Sequence, residues 1–185
     1  MRSRLRATLV VATAGIALVV AGCGGSDESS TSATEEWAGS LCSALTQWTD
    51  AITATGESLG DPTSLSVDSV KEAFGEAVDA TNTLVEDVRA LGAPDTEAGA
   101  EAKDALDSTA DALADDVADL EAQLDEAGEG AAGVIATVTA ISGTLSGMST
   151  VVSDLFSTLG ELDAEAELEQ AFTDADACQP IINPS

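Results

Sequence analysis

The sequence predicts an all-α protein: an antiparallel four-helix bundle with a short fifth C-terminal helix, closed by a disulfide. Beyond residue 34 the chain is rich in Ala, Leu, Asp, Glu and Thr. Apolar residues recur there at three- and four-residue spacing over four long segments, which is the period of a helix buried on one face. The four prolines fall between those segments or near the C-terminal end, where helix breakers belong.

The first two helices are predicted over residues 34–59 and 66–91. The first carries one apolar stripe, made of Trp37, Leu41, Leu45, Trp48 and Ile52. Both tryptophans lie on this stripe, so we interpret them as core anchors and not as a ligand box. The stripe of the second helix is Val67, Val70, Phe74, Ala77, Thr81, Leu84, Val88 and Leu91. Gly92 is the expected C-cap, and Pro94 follows it.

The third helix is predicted to begin with Asp95 or Thr96 as its N-cap and to end before residues 128–130. Its stripe is Ala102, Leu106, Thr109, Leu113, Val117, Leu120 and Leu124. The turn at 128–130 separates it from the fourth helix. Short connections of this kind favour antiparallel neighbours in a bundle.

The fourth helix is predicted over residues 131–159, with Asp154 as its single charge. Its stripe is Val134, Val138, Ile141, Leu145, Met148, Val152, Leu155 and Leu159, continued by Leu162. So few charges predict the most buried helix of the bundle. Contact with a partner or a lipid surface is the alternative, whereas the many Gly, Ser and Thr residues argue against a second membrane span. A fifth helix is predicted over residues 164–175.

Residues 1–22 have the three zones of a secretory signal segment. Three arginines begin it, fifteen uncharged residues rich in Leu, Val, Ile and Ala follow at 7–21, and Ala21-Gly22 forms a small-residue end. An uncleaved transmembrane helix is the alternative, but such a helix needs about 20 apolar residues. The sequence therefore predicts export.

Val20-Ala21-Gly22-Cys23 lies where the apolar run stops and a Gly/Ser/Thr tract begins. These four residues resemble the lipobox of bacterial lipoproteins. The resemblance implies a diacylglycerol on the sulfur of Cys23, with palmitate among its acyl chains, and cleavage just before that residue. Two acyl chains anchor a protein stably, whereas one binds a membrane reversibly. The alternative is a free or disulfide-bonded Cys23 in an ordinary secreted protein.

The expected domain organisation follows from the signal and the helical pattern. Residues 1–22 are the signal peptide, and 23–34 are a flexible tether from the lipidated Cys23, because 24–34 contain no large apolar side chain. Residues 35–178 form the acidic helical bundle, and 179–185 form a frayed C-terminal tail. We expect this body to be held on the outer face of the cytoplasmic membrane, with the membrane as its partner through the lipid on Cys23.

Cys42 and Cys178 remain after Cys23. Because exported proteins meet an oxidising environment, where paired cysteines usually bridge, we expect a disulfide between Cys42 and Cys178. A metal site is the competing interpretation, and two thiols without any histidine make a poor one.

The chain after residue 22 has three basic residues against 34 acidic ones, a net charge of −31. Such a surface repels nucleic acid and anionic headgroups, so we expect no nucleic-acid partner. A solvated acidic surface is the plain interpretation, and a cation-related role is the alternative.

Two groups of acids are the candidates for cation binding: Asp104, Asp107, Asp111 and Asp115 in one, and Asp163, Glu165, Glu167 and Glu169 in the other. Calcium takes six to eight oxygens around a point, whereas a helix face presents carboxylates in a line. We therefore expect weak, diffuse cation association and no defined metal site.

The absence of histidine excludes Ser-His-Asp and Cys-His catalysis and histidine-ligated zinc in their standard forms. The chain has no Gly-rich phosphate loop and no EF-hand pattern. The many carboxylates leave hydrolysis by a pair of acids, as in glycosidases, as an alternative. However, two Trp and three Phe offer few aromatic residues for a sugar-binding cleft. We predict no catalytic residues and no cofactor.

Three features of the chain, in their order and spacing, resemble small uncharacterised helical lipoproteins of high-GC Gram-positive bacteria. They are Trp37, Cys42 and Trp48, then Ala93-Pro94-Asp95-Thr96, then Ala171-Phe172 before Cys178. The resemblance spans most of the chain after Cys23. It implies a cell-surface lipoprotein with a helical domain and no established activity.

The functional expectation is therefore an interaction or binding module, lipid-anchored at the cell envelope, with an envelope protein as its partner. The alternative is a polyanionic structural or cation-retaining protein of the envelope. A carboxylate-based enzyme ranks third.

Overall fold

A computed structural model of the protein describes residues 27–59, 65–126, 130–163 and 166–182. These residues form six α-helices and one 3₁₀ turn, with no strand among them, which confirms the all-α class. The helices are α1 (Asp27–Ser58), α2 (Val67–Ala90), α3 (Gly99–Asp125), α4 (Gly130–Leu162), α5 (Glu167–Asp174) and α6 (Gln179–Ile182). The 3₁₀ turn (Asp176–Cys178) lies between α5 and α6.

The two ends of the described chain are more helical than the sequence predicted. α1 begins at Asp27 and so includes most of the segment expected to be a tether. At the other end, residues 179–182, expected to fray, form α6.

α2 follows its prediction closely at the N-terminus and departs from it at the C-terminus. Ser66 is the N-cap: its hydroxyl accepts a hydrogen bond from the Ser69 backbone N–H at 3.1 Å, and the Ser69 hydroxyl accepts one from the Ser66 N–H at 2.8 Å. This is a capping box built with serine. Leu91, in extended conformation, is the C-cap, so the assignment to Gly92 was wrong.

The predicted N-cap of α3, Asp95 or Thr96, was also wrong. The chain makes a turn after Pro94, in which the Thr96 N–H donates to the Pro94 carbonyl at 2.9 Å and the Gly99 N–H donates to the Thr96 carbonyl at 3.1 Å. A β-carbon at Gly99 would lie 2.1 Å from the Pro94 oxygen. The turn therefore needs glycine at position 99, and the helix begins only there.

The predicted stripes of α1, α2 and α3 form most of the core. Every residue of those stripes is buried or half-buried, and among the fully buried side chains are Leu41, Phe74, Leu84, Leu106 and Leu113. Each long helix packs against the next one in the chain, and α1 is additionally covered by α5 and the 3₁₀ turn. α4 packs mainly on α3, with smaller contacts to α2 and α5.

The expectation that α4 is the most buried helix was wrong. Only 22% of its most apolar stretch is buried. Its stripe divides into two sets: Val134, Ile141, Met148 and Leu155 are buried, whereas Val138, Leu145 and Val152 are half-buried. The physical reason is that α3 covers one side of the stripe, and the described neighbours of α4 leave the other side partly open.

Candidate functional site

The predicted lipobox residues are Val20, Ala21 and Gly22, and Cys23 after them is the residue expected to carry the lipid. They lie outside the described residues, so lipidation at Cys23 stays a prediction.

The disulfide between Cys42 and Cys178 is confirmed. The two sulfur atoms are 2.06 Å apart and the two Cα atoms 5.0 Å apart. Cys42 is in α1, Cys178 ends the 3₁₀ turn, and both side chains are buried. The bond therefore fastens the C-terminal elements to the first helix across 136 residues of sequence.

Both tryptophans are core anchors, as predicted, and each indole N–H has an acceptor on or just beyond α2. Trp48 Nε1 donates to the Thr81 hydroxyl at 3.0 Å, and Trp37 Nε1 donates to the Gly92 carbonyl at 2.8 Å. The Thr81 hydroxyl in turn donates a hydrogen bond to the Ala77 carbonyl at 2.7 Å. Because these polar atoms are satisfied within the core, the tryptophans are not available as a ligand box.

The outward face of α4 is the most distinctive surface of the described chain. Between residues 131 and 160 it holds a single charge, Asp154, on a protein with 34 acidic residues. Its exposed positions are small and uncharged, among them Thr139, Ala140, Gly143, Ser146, Gly147 and Thr150. Ile135, 57% exposed, is the large hydrophobic side chain that stands out furthest among the described residues. We call this surface, together with the half-buried Val138, Leu145 and Val152, the α4 face.

The hydroxyl groups of the α4 face bond back to their own helix. Thr139, Ser146 and Thr150 each donate to the carbonyl four residues earlier, at 2.8, 2.9 and 3.1 Å. Their donors are thereby satisfied without water, so covering this face removes few unmatched hydrogen-bond donors from solvent. Within the described chain, α4 is also the one helix long and apolar enough to cross a membrane.

Both acidic groups that the sequence singled out have members with partners inside the chain, whereas Glu165 lies outside the described residues. Asp107 pairs with Lys103, and Asp111 pairs with Arg89 of α2 at 2.8 Å. Asp163 caps α5, accepting hydrogen bonds from the backbone N–H groups of Leu168 at 3.1 Å and Glu169 at 2.7 Å. Within the described ranges, no three acids or cysteines come together in a metal-binding arrangement.

Asp116 of α3 is the described acid whose titration is clearly perturbed. Partial burial raises its pKa above the ordinary value, and the negative charges of Asp119 and Asp115 raise it further. Both effects disfavour the charged carboxylate. The three aspartates form a local concentration of negative charge without a basic partner among the described residues.

A scan against protein-family profiles, a search of curated proteins and a search of solved structures each returned no match to this chain. Function must therefore be inferred from the chain's own surfaces. One feature of the α4 face could have been recognised in the sequence. Gly143 and Gly147 are separated by three residues, the spacing that lets two helices approach closely. A β-carbon at either glycine would meet open space.

Proposed function

We propose that this protein is a lipid-anchored interaction module of the cell envelope, exported and held at the outer face of the cytoplasmic membrane by a diacylglycerol on Cys23. The segment 1–23 supports the anchor through its basic start, its uncharged run and the Val20-Ala21-Gly22-Cys23 motif. The absence of histidine supports a binding role over a catalytic one.

The single observation that carries the interaction role is the exposure of α4. A helix with so few charges is ordinarily buried, yet 22% of its most apolar stretch is buried in the folded chain. An exposed uncharged surface that carries apolar side chains, on an otherwise acidic domain, is typical of a contact site. The α4 face therefore serves to dock a partner.

The chemistry of the α4 face selects a helix with an uncharged, apolar stripe as its partner. The half-buried Val138, Leu145 and Val152 offer apolar contact along one edge. Gly143 and Gly147 leave room beside them for a close backbone approach. Elsewhere the strongly acidic surface repels acidic partners and offers a neutral apolar stripe little apolar contact, so the partner is directed to this face.

A position-specific photocrosslinking experiment in intact cells tests the docking surface. A photoreactive phenylalanine analogue is placed at Thr139, Ser146 or Thr150 of the α4 face, and at Lys71 or Glu121 as controls; all five positions are exposed. We expect a discrete crosslinked species from the first three positions and none from the controls.

A charge placed on the face provides the matched loss-of-contact test. Ser146→Glu should remove the crosslink formed from Thr139, whereas Ser108→Glu, an exposed serine of α3, should leave it intact. Crosslinks that form equally from the control positions, or that survive Ser146→Glu unchanged, contradict the proposal.

Membrane fractionation tests the anchor separately. The wild-type protein should sediment with membranes, and Cys23→Ser should release it into the soluble or secreted fraction. The double variant Cys42→Ser, Cys178→Ser makes the same Cys-to-Ser change at the other two cysteines and should leave the protein with the membranes. A Cys23→Ser protein that remains equally membrane-bound contradicts lipid anchoring.

We further propose that the four long helices form an antiparallel bundle. Side chains at positions 37, 48 and 55 of α1 hydrogen-bond to positions 92, 81 and 73, in reverse order along the chain. Arg89 contacts Asp111, and Gln123 contacts Thr144 at 3.1 Å, as expected for antiparallel neighbours joined by short turns. Spin-label distances that stayed long between the start of α3 and the end of α4 would contradict this arrangement.

A further inference from the structure

A concave site lies at the junction of α1, α4 and α5, away from the middle of the α4 face. It is a cleft of about 600 Å³, within the roughly 300–1,000 Å³ typical of small-molecule sites. Its floor and walls are apolar: Phe156, Leu159, Leu168, Phe172 and Ile181. The Cys42–Cys178 disulfide lies at its base through Cys42, so the cleft is framed by a covalent link between the two ends of the domain.

The aromatic side of the cleft is a connected set of rings. Phe172 makes an edge contact with Phe156, at 5.8 Å between ring centroids, and another with Trp37 at 6.0 Å. Phe156 and Phe172 are both half-buried, so part of each ring remains accessible from the cleft. An accessible ring face is negatively polarised and attracts cations, quaternary ammonium groups above all.

The charged groups that line the cleft among the described residues are all negative. Asp163 and Glu169 line it, and no basic residue does. The described basic side chains are on α2 and α3, where Arg89 and Lys103 pair with Asp111 and Asp107. Asp163 keeps its position because two backbone N–H groups of α5 donate to it. The rim therefore disfavours an anionic headgroup and favours a positive one.

We propose that this cleft binds a cationic amphiphile: a molecule with an apolar chain for the Phe and Leu walls and an ammonium group for the rings and the two carboxylates. This site goes beyond the proposed docking of a partner on the α4 face and does not depend on it. The apolar lining supplies contact area, and Asp163 and Glu169 supply the selection for charge.

Gly160 offers a way to fill the cleft with little disturbance. It lines the cleft, and a β-carbon added there meets nothing within 4 Å. Gly143, in the same helix, also meets nothing within 4 Å and does not line the cleft. Gly160→Phe and Gly143→Phe are therefore a matched pair, in which only the first blocks the site.

The experiment is calorimetric titration of the chain from residue 23 onwards carrying Cys23→Ser, which lacks both the lipid and the apolar run at 7–21 and so needs no detergent, with dodecyltrimethylammonium below its micellar concentration. About 0.5 M NaCl limits the diffuse attraction of cations to the acidic surface to a few ångströms. Tetramethylammonium tests the head alone, and dodecyl maltoside tests the chain with an uncharged head. We expect one saturable site for dodecyltrimethylammonium, with at least tenfold weaker binding of both comparison compounds.

Gly160→Phe should weaken binding at least tenfold, and Gly143→Phe should leave it within twofold. Glu169→Gln should weaken binding of dodecyltrimethylammonium but not of dodecyl maltoside. Glu76→Gln changes an exposed acid on α2 and should alter the binding of neither compound. If circular dichroism shows that Gly160→Phe does not fold, Ser153→Phe, at another lining position, takes its place. Binding that is unsaturable, or equal in the blocked and control variants, overturns the proposal; loss of α4 crosslinking leaves this result unaffected.

Discussion

At the scale of single residues, two threonines buried between α1 and α2 are matched to particular hydrogen-bond partners. Thr81 is fully buried and accepts the Trp48 indole hydrogen while donating to the Ala77 carbonyl. Thr55, also fully buried, lies within hydrogen-bonding distance of the Ala51 and Ala73 carbonyls, at 3.0 and 3.3 Å. Such matched pairs place α1 and α2 in one register, because a shift along the helix would leave buried polar atoms unsatisfied.

Glycine at position 99 should be required for stability. Gly99→Ala would place a β-carbon 2.1 Å from the Pro94 carbonyl oxygen, and we expect the free energy of unfolding to fall by about 1–3 kcal/mol. Gly75→Ala is the control, since a β-carbon there meets nothing within 4 Å in the interior of α2. It should raise the unfolding free energy by up to about 1 kcal/mol. Urea unfolding followed by circular dichroism measures both, and equal effects would contradict the argument.

Asp116 should make folding stability depend on pH. Its pKa is raised in the folded protein by burial and by Asp119 and Asp115. Its charged form therefore costs stability above the raised pKa, and that cost disappears as the pH falls towards the unfolded value. Asp116→Asn should raise the melting temperature at neutral pH, with a difference from wild type that shrinks towards pH 4.

Asp79→Asn, at an exposed position of α2, makes the same change in net charge and is the control for Asp116→Asn. It should raise the melting temperature less at neutral pH. Thermal melts of the three proteins between pH 4 and 8 measure the difference, and parallel curves for the two variants would contradict a specific effect at Asp116.

At the scale of helices, the helix ends depend on capping interactions and local backbone conformations that differ from one helix to the next. α2 has a serine capping box, and α3 has an N-cap without a side-chain hydrogen bond. Gly130 begins α4 with φ of +80°, a conformation that suits glycine. α5 is capped from outside by Asp163, with Ala166 in the left-handed region at φ of 59°.

The left-handed backbone conformation of Ala166 should strain the start of α5, and a glycine there should relieve that strain. The β-carbon disfavours this conformation by roughly 1–2 kcal/mol, while glycine loses about 0.5–1 kcal/mol more in ordering. Ala166→Gly should therefore raise the unfolding free energy by up to about 1 kcal/mol. Ala118→Gly, at an exposed position inside α3, should lower it by about 1 kcal/mol. Chemical denaturation measures both, and a loss of stability in both variants would contradict the strain at Ala166.

At the scale of the whole molecule, two opposing effects act on the compact state. A net charge of −31 after residue 22 disfavours compaction by self-repulsion. The disulfide opposes unfolding by shortening the accessible unfolded chain across 136 residues. α5 and the 3₁₀ turn, both packed on α1, are held at the site where that bond forms.

Removal of the disulfide should destabilise the whole domain. In the chain-entropy model a loop of this length corresponds to about 4–5 kcal/mol. At about 2–4 °C per kcal/mol for a chain of this size, Cys42→Ala with Cys178→Ala should lower the melting temperature by roughly 8–20 °C. A reductant should lower the wild-type value to a similar degree and leave the double variant unchanged. A double variant that melts with the wild type would contradict this role.

The sequence by itself determined the all-α class, the approximate extent of the long helices, the core stripes of α1, α2 and α3, and the pairing of Cys42 with Cys178. Helix formation depends on the local spacing of apolar residues, and the disulfide depends on one pair of cysteines in an exported chain. Both can therefore be predicted from residue types and spacing. The tertiary structure alone decided the turn at Gly99, the capping of α5 by Asp163, the exposure of α4 and the cleft beside Phe172. Burial depends on whether a neighbour is present: the stripe of α4 has the same period as the others, but only one of its sides is fully covered.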